Sequence, residues 1–227
     1  MANYVADLQP EVVREKALAL VRASLSLEGF AQAHAMMLVN GFLGEVVDLE
    51  SVLNEWSYNI ALYGDPDPRA PWGWQLFGHH CALNCLVVEG RMSLSPVFLG
   101  AEPDEIDAGP HAGLRDLFAD RVELGLDLMA ALDDDQRAAA TAFEHMVDPA
   151  MPDGRVHPGD ERHLAGAFQD NRVIPFEGVR VRDLPEAAQQ AARGIAEAFV
   201  RLLPEGPRTA RLREIEAHLD QTWFSWI

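Results

Sequence analysis

The chain has 227 residues, 48% of them hydrophobic, enough for one substantial domain or two small ones. Its 36 acidic residues against 18 basic ones give a formal charge of −18. That balance argues against nucleic acid or an anionic membrane as a partner, because both call for clustered Lys and Arg.

In chain order, the N-terminal "MANYVADLQPEVVREKAL" lacks the basic and apolar segments of a signal peptide. No apolar run approaches the ~20 residues of a membrane span, and the expected location is cytoplasmic. Pro10 falls at a first helical turn, and "EVVREKALALVRASLS" predicts a helix with Val13, Ala17, Leu20, Val21 and Leu25 at helical spacing. Gly29 is expected to break it, and "FAQAHAMMLVNGFLGEVV" predicts a second helix, weakened late by Gly41 and Gly44. The short link predicts an antiparallel helix pair over residues 10–48.

Between residues 56 and 100 the period changes to that of strands. "WSYNIALYG" predicts one strand, "DPDPRAP" a proline-rich loop, and "GWQLFGHHCALNCLVVEGRMSLSPVFLG" two strands joined at Glu89-Gly90 by a tight hairpin turn. Three sequential strands predict an antiparallel meander. Residues 113–220 return to helix in "LRDLFADRVELGLDLMAAL", "DDDQRAAATAFEHM", "PEAAQQAARGIAEAFVRLL" and "PRTARLREIEAHLDQ".

The expected fold is therefore α+β, one domain over 1–227, with a small antiparallel sheet flanked by helix pairs. The closing "TWFSWI" reads as an apolar strand start that lacks its partner. A C-terminally truncated sheet is expected there, or an edge that pairs with a second copy into a homo-oligomer.

The candidate site lies around "WGWQLFGHH". On one continuous strand, Phe77, His79, Cys81, Leu83, Cys85 and Val87 share a face, and Trp74, Leu76, Gly78, His80, Ala82, Asn84 and Leu86 the other. The first set is apolar and is expected in the core, as is Trp74, a large indole. In the second, His80 and Asn84 are separated only by Ala82, which leaves room for a small-molecule ligand that Trp72 could wall. Neighbouring histidines on a straight strand cannot chelate one ion, but a bulge at Gly78 would turn both to one side. Cys81 and Cys85 would stand roughly 13 Å apart on one strand, too far for a disulfide.

The long segment before the third of the four helices offers "HPGDERHLAGAFQDN", where His157, Asp160, Glu161, Arg162 and His163 crowd together. A connection that long is often functional. Folded over the sheet, it would bring His163 to His80 as a further metal ligand and Arg162 as a carboxylate clamp. Glu144-His145 is expected to end a helix, where a histidine suits the negative pole. There is no Gly-x-Ser-x-Gly elbow, Walker glycine loop, Rossmann fingerprint or His-Glu-x-x-His motif.

The segment 71–103 resembles a bacterial and fungal domain family of unknown function, DUF3500. Members carry a Trp-Gly-Trp, a Gly-His-His and then a strand ending near an Asn, here Trp72, Gly73, Trp74, Gly78, His79, His80 and Asn84. "VFLGAEP" (97–103) is similar to the family's Phe-x-Gly-x-x-Pro, and the first helix and "DQTWFSW" are similar too. Relatives extend past this point into a Tyr-Tyr-Arg and an Ile-Glu-Phe strand pair, and carry bulky apolar residues where Cys81 and Cys85 stand. The resemblance implies no settled activity.

From the residues themselves, the leading expectation is a metal-dependent enzyme acting on a small polar substrate. His79, His80 and His163 would be ligands of a divalent transition metal. His80, Asn84, His163 and Arg162 would be the catalytic groups, His80 as ligand or base and Asn84 stabilising charge. The rival expectation is a non-catalytic binding or scaffold protein in which the histidine pair is structural. A His80 that is solvent-accessible in a cleft, with another titratable group near it, favours the first; a buried, hydrogen-bond-saturated His80 favours the second.

Overall fold

Helix α1 (Glu11–Ser24) follows Pro10, which is tolerated there because the N–H groups at the start of a helix have no intrahelical acceptor, so the one that proline lacks is not needed. Ala17 and Val21 are buried at the spacing read from the sequence. The break comes at Leu25–Ser26 rather than at Gly29: the Ser26 hydroxyl accepts from the Gly29 backbone N–H at 2.9 Å and caps α2 (Leu27–Val46). Gly29 is needed inside α2 because a Cβ there would stand 2.6 Å from the Leu202 backbone. The architecture is that of a computed structural model describing residues 3–4, 9–156, 173 and 175–227.

Five antiparallel strands follow one another in chain order across the main sheet: β1 (Asn3–Tyr4), β2 (Asn59–Tyr63), β3 (Trp72–Gly78), β4 (Cys81–Val88) and β5 (Arg91–Leu99). The fold is α+β, as expected, and the meander has one more long strand than the sequence suggested. The extra turn lies at the histidine pair. Gly78 pairs with Cys81, so His79 and His80 form a two-residue hairpin loop, with His80 in the left-handed region at φ +53. There is no bulge at Gly78. The second hairpin turns where expected, at Glu89 and Gly90, both at positive φ as a tight turn requires.

That turn changes which side chains share a face. Cys81, Leu83 and Cys85 are buried as expected, and Trp74 and Leu76 lie buried with them in one cluster. Phe77, assigned to the core with them, is instead 37% exposed on the opposite face. A chain that reverses between Leu76 and Cys81 restarts its alternation, so even-numbered residues point inward on β3 and odd-numbered ones on β4. Val21, Ala33, Met36 and Met37 of the helix pair, Leu25 between the helices, and Tyr58, Leu94, Leu202 and Leu203 complete the cluster. Cys81 and Cys85 are free thiols.

The chain forms two compact units, 1–119 with 198–212, and 120–197 with 213–227. In the second unit, α3 (Ala119–Ala130), α4 (Asp134–Ala140) and α5 (Glu186–Val200) supply Leu128, Ala140, Ala188 and Ala191 to a small core, which Leu132 after α3 and Leu184 before α5 join. A reciprocal Asp133–Gln136 capping box starts α4, which ends at Ala140. Glu144 and His145 therefore lie beyond that helix, in a run of bends, and do not end it. α6 (Glu205–His218) precedes "TWFSWI". Within this unit, β7 (Trp223–Phe224) pairs with β6 (Val179–Arg180), and the Trp226 backbone bonds Ala140 and Ala142. No described helix is long and apolar enough to cross a membrane.

Candidate functional site

The β3–β4 hairpin carries its loop histidines to the segment that follows β5. The Gly100 N–H donates to the His80 carbonyl at 2.9 Å, which brings Glu102 alongside. His80 Nε2 is 2.8 Å and His79 Nε2 3.4 Å from the same oxygen, Glu102 Oε2. The imidazoles meet edge to face with centroids 4.1 Å apart, and His80 stacks on Phe98 at 6.4 Å. One donor atom from each of His79, His80 and Glu102 lies within 4.8 Å of the others. The side chains of His79 and His80 are 34% and 32% exposed, and Glu102 is 59% exposed, so the cluster is open to solvent.

Two glycines make this packing feasible. A Cβ on Gly78 would stand 2.5 Å from the buried Tyr58 ring, and one on Gly100 would stand 2.9 Å from His80 Nδ1. With Gly78 bare, Tyr58 reaches under the hairpin and its hydroxyl donates to the His79 carbonyl at 3.1 Å.

A second contact fixes the tautomer of His79. Asn40, 2% exposed on α2, donates through Nδ2 to the Asn54 carbonyl at 2.7 Å and to the Ser57 hydroxyl at 3.0 Å. A carbonyl only accepts, so the Asn40 amide has one orientation, with Oδ1 toward His79 Nδ1 at 3.1 Å. Nδ1 must then carry the proton, and neutral His79 presents the Nε2 lone pair to the Glu102 carboxylate. Burial, and then the neighbouring His80, hold His79 below its usual range, while Glu102 acts the other way. Glu102 is held below the usual carboxylate range first by its hydrogen bond from His80.

Chemically, a lone pair and a carboxylate facing each other at 3.4 Å are matched by a positive centre between them, either a proton on His79 or a metal ion. Ligands ~2.1 Å from a tetrahedral ion stand roughly 3.4 Å apart, which matches the His79–Glu102 spacing. At 2.8 Å His80 instead hydrogen-bonds Glu102 and would give up that bond and its Nε2 proton to become a ligand. A ring nitrogen that binds metal while its other N–H is held by a buried acceptor is the usual arrangement of metal-ligating histidine.

His79 and His80, foreseen as a pair, are brought together. Asn84 is not brought to them: it points from the outer face of β4 and donates to the Pro96 carbonyl at 2.8 Å. Arg162, His163 and the earlier His157 lie outside the described residues. Glu102, Asn40 and Tyr58 went unnoticed in the sequence. Glu102 sits inside the "VFLGAEP" segment that carried the family resemblance, which was the one signal for it. Asn40 and Tyr58 gave none.

The fold and cluster together define an α+β protein with two histidines and a carboxylate converging at a hairpin tip. The chain belongs to the family described as protein of unknown function (DUF3500), whose model matches residues 5–227. No curated protein and no solved structure matches it.

Proposed function

We propose that His79, His80 and Glu102 bind a divalent transition-metal ion and that the protein is a metal-dependent enzyme acting on a small polar substrate. The observation that carries this reading is the His79 tautomer, fixed by buried Asn40 so that the Nε2 lone pair faces Glu102. Two imidazoles and one carboxylate fill three positions of a coordination sphere and leave the rest for water and substrate, the pattern of catalytic rather than closed structural sites. His80, one-third exposed and 2.8 Å from a carboxylate, has the solvent access and the titratable neighbour that a chemical role needs. His163 and Arg162 remain candidates to complete the site, as a further ligand and a substrate clamp.

The scaffold reading draws support from the ties of His79 to Asn40 and Tyr58, which hold the hairpin tip in place. Metal content separates the two. Protein purified without chelators is expected to contain near-stoichiometric metal by elemental mass spectrometry. A folded His79→Ala, His80→Ala double variant and Glu102→Gln are expected to lose it. No metal in the wild type, and no saturable uptake of added Zn²⁺, Fe²⁺ or Mn²⁺, would sink the metalloenzyme and leave the histidines structural.

A further inference from the structure

The outer face of the main sheet carries a polar ladder that the hairpin-tip site does not use. The Tyr63 hydroxyl donates to Gln75 Oε1 at 2.7 Å, Gln75 Nε2 donates to Asn84 Oδ1, and Asn84 Nδ2 donates to the Pro96 carbonyl. It crosses all four long strands, β2 to β5. Its polarity is fixed from one end. The Pro96 carbonyl can only accept, so Asn84 must turn its NH₂ there and its oxygen to Gln75, which in turn must offer its own oxygen to Tyr63.

A bulge makes the end of the ladder. Leu83 pairs with Val97 and Cys85 with Leu94, so Asn84 faces two β5 residues, Ser95 and Pro96. Pro96 has no N–H for the sheet, and the bulge leaves its carbonyl to the Asn84 side chain. Bulges of this kind re-aim side chains beside binding sites.

A cleft of about 300 Å³ opens over this ladder, lined by Tyr63, Pro71, Trp72, Gln75, Asn84 and Ser95 among others. That is the low end of the ~300–1,000 Å³ of small-molecule sites and suits a single six-membered ring. None of its lining residues is Asp, Glu, Lys, Arg or His, in a chain with a formal charge of −18. A charged ligand would lose hydration there with no counter-charge to meet it. After the ladder bonds are made, Gln75 and Asn84 each keep one N–H and one lone pair, fixed in direction and half-buried. Paired donors and acceptors match hydroxyls, which both donate and accept. The exposed Tyr63 ring adds a flat apolar wall for ring C–H faces.

We infer that this cleft binds a neutral, polyhydroxylated ring, a pyranose sugar unit, held by the Gln75 and Asn84 amides against Tyr63. The inference is independent of the metal reading, since it uses none of His79, His80 or Glu102. Binding at a single open site of this kind is expected in the millimolar range, Kd ~1 mM.

Saturation-transfer NMR on the full chain with D-glucose, D-galactose and N-acetyl-D-glucosamine tests it, with D-gluconate as the charged counterpart. At least one neutral sugar is expected to bind saturably, with gluconate weaker by about tenfold or more. Gln75→Leu is expected to weaken binding by about tenfold or more. Tyr63→Phe, which keeps the ring and alters an exposed position, is expected to weaken it by a few-fold if Gln75→Leu does not fold. The His79→Ala, His80→Ala variant is expected to bind sugar as the wild type does. Cellobiose binding alongside glucose would point to the end of a glycan chain, and glucose alone to a free sugar. No saturable neutral sugar, gluconate binding as well as glucose, or affinity unmoved by both Gln75→Leu and Tyr63→Phe would each overturn the inference.

Discussion

Asn54 and Pro96 each offer a backbone carbonyl to an asparagine, Asn40 behind the hairpin tip and Asn84 on the outer sheet face. In both places that carbonyl sets the direction of every hydrogen bond after it. The outcomes differ because the chain of bonds ends on different groups. Behind the tip it ends on an imidazole, whose remaining lone pair meets a carboxylate. On the outer face it runs through amides to a phenol and meets no charge. On the two proposals, one ordering device serves a site for a cation and a cleft for a neutral ligand on the same sheet. A rigid, pre-oriented polar group is worth more in binding than a free one because the cost of ordering it is already met in folding.

The largest effects should come from separating the two sites. His79→Ala with His80→Ala is expected to abolish metal uptake, at least about 100-fold in affinity, with sugar binding intact; Gln75→Leu should do the reverse. Calorimetric titration of each variant with Zn²⁺ and with the sugar checks both, and loss of both functions in either variant would merge the two sites into one.

Next in size is the support behind His79. Asn40→Ala removes the acceptor that fixes the tautomer and is expected to weaken metal binding by about 10–100-fold. It should also destabilise the fold by about 1–3 kcal/mol, since the Asn54 carbonyl and Ser57 hydroxyl lose their donor. Denaturant melts of metal-free protein separate the second effect from the first.

The glycines give a smaller and more local contrast. Gly78→Ala presses on the fully buried Tyr58 ring and is expected to cost about 1–3 kcal/mol of stability. Gly100→Ala presses only on the His80 imidazole, so its main effect should be about a tenfold loss of metal affinity with little change in melting. Equal thermal shifts for the two variants would mean that the His80 ring is as rigidly packed as Tyr58.

The mildest contrast is in pH. His79 sits below its usual 6.5, so the native state binds fewer protons there than the unfolded chain does. Its contribution to stability is complete above 6.5 and declines as pH falls through the lower native value. Metal uptake should follow the same direction, full at pH 7 and falling in acid, because the ligand must be unprotonated. The outer cleft contains no group that titrates between pH 5 and 8, and its sugar affinity should be flat over that range. The Cys81 thiol, buried and pushed up to about 12 by that burial, should resist alkylation at pH 8 in the folded protein.

By itself the sequence determined the α+β class, the helix pair, the turn at Glu89-Gly90, the inward set of Cys81, Leu83 and Cys85, and the family. These are properties of local period and turn chemistry, which neighbouring residues carry among themselves. Even the turn at His79 and His80 left a trace, since inward residues switch from Trp74 and Leu76 to Cys81 and Leu83, a change of parity. A bulge or a turn both account for such a switch, and only pairing Gly78 with Cys81 chooses between them. Tertiary structure alone decided that the turn would set two imidazoles against Glu102, that Asn40 would fix one of them, and that Asn84 would face Gln75 and Pro96 instead of His80. Those contacts join residues 9 to 39 positions apart, and no local pattern encodes which distant polar groups a folded backbone will bring within 3 Å of each other.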